Sequence, residues 1–139
     1  MSDVLYETIR RYEHNGDFSH TVVTEDMLNE SEDRLGVKLP EEYKQFLKTF
    51  GHGGIGGVEV LGIGKNGTMI FENETIKYRA YGMPNNLLII ENCDEWVYCI
   101  DTNNGKIVMW ASGCESYSNA YNGFKEFLQD RVNDILENM

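Results

Sequence analysis

The sequence predicts an α+β domain: an antiparallel sheet covered by helices drawn from the N- and C-terminal parts of the chain. Three observations predict it. Apolar residues recur at helical spacing in the first fifty positions, the middle of the chain changes to short apolar runs separated by turn residues, and a helical period returns at the end. Apolar runs all fall short of the roughly 20 residues that cross a bilayer. Repeats, linkers and low-complexity segments are not visible, so residues 1–139 read as a single domain.

Val4, Leu5, Ile9 and Tyr12 give a short helical pattern that breaks at Asn15-Gly16-Asp17. Thr24 is suited to cap a second helix, with Glu25 and Asp26 in its first turn and Met27, Leu28, Ser31 and Leu35 on one face. Gly36 supplies the left-handed residue that ends it. Pro40 belongs in the first turn of a third helix, where its missing N–H costs nothing. Tyr43, Phe46, Leu47 and Phe50 follow at i, i+3, i+4, i+7 and form one stripe facing a core.

From residue 58 the period reads as alternating. Val58, Val60 and Gly62 face one way and Glu59, Leu61 and Ile63 the other, and a turn at Lys65-Asn66-Gly67 leads to a second strand over 68–71. A short helix over 72–81 is stopped by Gly82 and Pro84, and 87–90 is an apolar run typical of a buried strand. Residues 96–100 and 106–110 flank Asp101-Thr102-Asn103-Asn104-Gly105, the strongest hairpin signal in the chain. A last helix begins near Ser118 or Asn122 and turns Phe124, Phe127, Leu128, Val132, Ile135 and Leu136 to the core.

Charge narrows the function classes. With 23 acidic against 12 basic residues and a net charge of −11, the chain is repelled by nucleic acid and anionic membranes and attracted to basic partners. The same charge also keeps a protein soluble, and both readings stand. Nothing at the N-terminus resembles a leader, so a cytoplasmic location is expected. Cys93, Cys99 and Cys114 are odd in number and lack metal-type spacing, which suits free thiols in a reducing compartment.

Candidate chemistry is sparse. Gly51-His52-Gly53-Gly54-Ile55-Gly56 spells a dinucleotide loop, but it follows a helix instead of a strand. Gly62-Ile63-Gly64-Lys65-Asn66-Gly67 stands between two expected strands with no kinase motif after it. The 101–105 turn misses the glycine and glutamate positions of a calcium loop. His14, His20 and His52 stand apart from one another and from the thiols. No catalytic residue, metal or cofactor is expected. The segment that stands out carries Glu91, Asp94, Glu95, Trp96 and Asp101, acids beside a large aromatic at a strand entrance, the composition of a binding hot spot with an electronegative rim. Trp96 as a core residue beneath a solvated acidic loop is the other reading, and the two are compatible.

Two stretches carry a family resemblance. Leu35-Gly36, Leu39-Pro40, Tyr43, Phe46-Leu47 and the Gly53-Gly54 pair match the opening signature of the Smi/Knr branch of the SUKH superfamily. Tyr81-Gly82-Met83-Pro84 through Asp101-Thr102, then 106–110 and 124–128, resemble its later motifs in order and spacing. His52 stands where asparagine is frequent. The resemblance implies a non-enzymatic protein-binding domain; the sequence does not fix its oligomeric state, and a monomer is favoured. Bacterial members are mostly immunity proteins that neutralise the C-terminal domain of a polymorphic toxin, often a nuclease, while fungal members are scaffold-like regulators of cell-wall assembly. A short acidic chain is similar to the bacterial kind. The expected partner is therefore a cognate basic toxin domain held at Glu91, Asp94, Glu95, Trp96 and Asp101, with a scaffold or regulatory module as the alternative.

Overall fold

The computed structural model describes residues 4–138. Among these, helices α1 (Val4–Tyr12), α2 (Glu25–Leu35), α3 (Glu41–Thr49) and α4 (Ile70–Arg79) precede strands β1 (Leu87–Asn92), β2 (Val97–Asp101), β3 (Ile107–Trp110) and β4 (Ser118–Tyr121), and α5 (Phe124–Glu137) follows. The strands form one antiparallel meander in the order β1-β2-β3-β4. This is the expected α+β class.

The helices start and stop for local reasons. The Thr24 hydroxyl accepts the Met27 N–H at 3.2 Å and caps α2, and Gly36 closes that helix at φ 71° with its N–H on Glu32 O. Pro40 is the residue before α3, with φ −62° and ψ 147°, one position earlier than expected. Tyr43, Phe46, Leu47 and Phe50 are all fully buried. The Tyr43 ring packs against Phe71 and Phe124 with centroids 5.5 and 5.2 Å away, so α3 joins α4 to α5. Its hydroxyl donates to Leu61 O, and burial raises its pKa well above the ordinary tyrosine value.

Three expectations are corrected. Residues 58–63 are extended but form no strand: single bridges join Gly53 to Val60 and Ile63 to Met69, with 3-10 turns at Ile55–Gly57 and Lys65–Gly67. The alternation fails too, because Val60, Leu61, Gly62 and Ile63 are all buried. Residues 68–71 are not a strand either, since α4 already begins at Ile70. The helix turns Phe71 and Thr75 inward, and the Thr75 hydroxyl accepts the Ile89 N–H at 3.1 Å along the edge of β1. Burial thus overrides the β-branched residues at 68 and 70.

The third correction is β4, where a helix start was expected at Ser118 or Asn122. Ser118 and Asn119 are exposed and poor strand formers, but they pair with Met109 and Val108. Tyr121 packs on Phe127 at 5.6 Å and so holds the strand against α5. The helix then begins only at Phe124. Its cap comes from far away: Glu42 Oε1 of α3 accepts the Lys125 N–H at 3.1 Å.

Candidate protein-binding surface

The β1–β2 turn is built from residues 93–96. The Cys93 N–H donates to Trp96 O at 2.9 Å and the Asp94 N–H to Asn92 Oδ1 at 2.8 Å. Asp94 adopts φ 68°, a left-handed conformation that short polar side chains tolerate best among non-glycine residues. The turn lifts Asp94 and Glu95 into solvent. Among the described residues neither carboxylate has an ion-pair or hydrogen-bond partner.

Glu91 and Asp101, expected beside them on the same surface, face inward instead. The pairing of β1 with β2 shifts register between Ile89 and Glu91, which sets Glu91 opposite Tyr98. Tyr98 packs on Phe127 of α5, so Glu91 lies on the helix-covered face. There it is 6% exposed and takes two hydrogen bonds from Arg131, at 3.0 and 2.7 Å. Burial works against the charge on Arg131, but the Glu91 pair outweighs it and the pKa is raised. Asp101, also 6% exposed, accepts hydrogen bonds from Asn86 Nδ2, the Asn103 N–H and the Tyr117 hydroxyl, at 2.9, 3.0 and 3.2 Å. It fixes the β2–β3 turn.

What the sequence reading missed is the aromatic company of Asp94 and Glu95 beyond Trp96. Between the end of α4 and the turn lies a groove of about 270 Å³, walled by Tyr78, Tyr81, Trp96 and Trp110 and rimmed by the two acids. Tyr81 is 56% exposed, the Trp110 ring is buried as the floor, and Trp96 is half-buried. Trp96 is therefore both packing and surface: its ring meets Tyr98 edge-on at 6.3 Å, and its indole N–H is buried without a partner among the described residues. Tyr78 is fixed by Asn92 Nδ2, which donates to its hydroxyl at 2.8 Å, and Lys77 Nζ lies 5.9 Å from the Tyr78 ring centroid. These rings come from segments far apart in sequence. The one local signal was a pair of tyrosines three apart at a helix end.

The glycine motifs have a packing role. A Cβ at Gly53 would lie 2.0 Å from Asp17 O, and one at Gly62 1.9 Å from Gly51 O, so three backbone segments cross here at contact distance. His52 stands beside this crossing with both ring nitrogens engaged, Nδ1 accepting the Gly62 N–H and Nε2 against Glu59, each at 3.0 Å. The adjoining Ser19 hydroxyl donates to Ile63 O at 2.7 Å. Burial, then the nearby Glu91, raise the Cys93 thiol to about 11, and burial raises the Cys99 thiol further, while Cys114 is exposed. Among the described residues no three His, Cys, Asp or Glu side chains are grouped to hold a metal, and no helix is long and apolar enough to cross a membrane.

Over residues 1–133 the chain matches the SUKH family model described as SMI1-KNR4 cell-wall. Its fold is similar to that of a crystallised protein from Pseudomonas syringae pv. tomato. That likeness has a TM-score of 0.73 at 20% identity and covers 91% of this chain and 94% of the other.

Proposed function

The chain belongs to the SUKH family described as SMI1-KNR4 cell-wall, and from that premise we propose that it is an immunity protein. It binds a basic toxin domain, a nuclease, one to one in the cytoplasm and blocks it without catalysing a reaction or using a cofactor. The observation that carries this reading is the exposed pair Asp94 and Glu95, unpartnered among the described residues, on the rim of an aromatic groove. A nuclease needs basic side chains to hold phosphates, and a chain of net charge −11 complements that surface. The charge speeds encounter, and the aromatic walls slow departure.

Co-expression with a candidate toxin domain encoded by an adjacent gene tests the reading. Growth is expected to recover, and the purified pair to associate at a rate that falls steeply with added salt. No rescue, with a stable complex formed instead with an endogenous protein, overturns the immunity reading in favour of a scaffold or regulatory module.

A further inference from the structure

We infer that the groove between the end of α4 and the β1–β2 turn receives a single arginine side chain of the bound partner. The guanidinium lies against the Trp96 and Tyr81 rings and pairs with the Asp94 and Glu95 carboxylates. This inference rests on the immunity reading and names what its surface recognises.

Size comes first. At about 270 Å³ the groove falls below the ~300–1,000 Å³ of ordinary small-molecule sites, which suits one long side chain. Chemistry comes second. Aromatic faces carry negative electrostatic potential and attract cations, and this protein already uses that force next door, with Lys77 over Tyr78. The two carboxylates add the acceptors that a cation's N–H groups need, and no cation of the described chain fills that role at Asp94 or Glu95. Flatness comes third. A guanidinium is planar, stacks on a ring and forks onto carboxylate oxygens, whereas an ammonium can only do one of these as a point charge. Two carboxylates without a third ligand nearby do not make a metal site.

The test uses the full chain and three probes: Nα-acetyl-arginine methylamide, its lysine counterpart and its norleucine counterpart. Both tryptophans of the chain border the groove, so indole N–H resonances and intrinsic fluorescence report on it directly. Saturable shifts at Trp96, Asp94 and Glu95 with the arginine probe are expected, about tenfold weaker with lysine and none with norleucine. The Asp94→Asn/Glu95→Gln double variant and, separately, Tyr81→Ala should each abolish saturation while leaving the melting temperature unchanged. Equal response to all three probes, or shifts spread over the acidic faces of α2 and α5, overturns the inference. So does a double variant that loses arginine binding yet neutralises the toxin at the parent's dose; that outcome leaves the immunity reading intact. Specific arginine binding by a chain that rescues no toxin sinks the immunity reading instead and leaves the groove's chemistry supported.

Discussion

The two inward acids of the β1–β2 hairpin, Glu91 and Asp101, differ from the two outward ones, Asp94 and Glu95, in everything but their charge. Glu91 and Asp101 are almost fully buried, and each accepts at least two hydrogen bonds from named donors. Asp94 and Glu95 are exposed and accept none among the described residues. A buried charge survives only when paired, so the inward acids are tied to stability. An exposed charge has water for company and gives up little when it finds a partner, so the outward acids are available for binding. Net charge therefore misstates the surface: part of the acidity never reaches solvent.

That contrast is open to being broken. Glu91→Gln should have the largest effect, on the order of 3 kcal/mol in chemical denaturation, because it leaves the partly buried Arg131 guanidinium with only the exposed Asp134 carboxylate, 3.9 Å away, as an ion-pair partner. Pairing Glu91→Leu with Arg131→Met should recover most of that loss. A single variant within experimental error of the parent would mean the ion pair holds nothing. Asp101→Ala should cost about 1–3 kcal/mol by leaving Asn86, the Asn103 N–H and Tyr117 without their acceptor. By contrast, Asp94→Asn with Glu95→Gln should stay within about 0.5 kcal/mol of the parent, since surface changes seldom do more. The same double variant should slow toxin association in stopped-flow and flatten its salt dependence. If it unfolds the protein instead, the distinction between inward and outward acids collapses.

The smallest expected effect lies at high pH. The Cys93 thiol ionises near 9 when unfolded and at about 11 when folded. Its contribution is thus full below about pH 9 and fades as pH rises toward 11, because only the unfolded chain releases the proton early. Cys99, raised further by burial, works in the same direction from the same pH upward, and Tyr43, raised well above its ordinary value, does so at higher pH. Denaturation midpoints measured across that window should fall, and Cys93→Ser should fall less. A Cys93→Ser variant whose midpoints fall as steeply as the parent's would show that the turn opens enough to solvate the thiol.

Much of the fold was legible because the deciding forces were local. Thr24, Gly36 and the stripe from Tyr43 to Phe50 each carry their own instruction in a few residues, and the hairpin around 101–105 does too. The misreadings arose where a distant neighbour decides. Residues 58–63 alternate like a strand, but the glycine crossing and the burial of four successive residues leave no ladder partner of useful length. Ser118 and Asn119 have no strand character apart from β3 beside them. The candidate site divides the same way. Asp94, Glu95 and Trp96 were readable as a cluster because one turn holds them. Tyr78, Tyr81 and Trp110 join them only through folding, and the register shift that turns Glu91 inward leaves no trace in composition.

The bond between Glu91 and Arg131 also sets a timetable for synthesis. The two residues are 40 positions apart, so at roughly 5–20 residues per second a ribosome adds Arg131 about 2–8 s after Glu91. During that interval the strand leading into the Asp94 turn carries a carboxylate that has no guanidinium to meet. The nascent chain thus presents the Asp94 turn before the base of that turn is anchored. The base of the turn is anchored only once α5 has been made and has docked against the sheet.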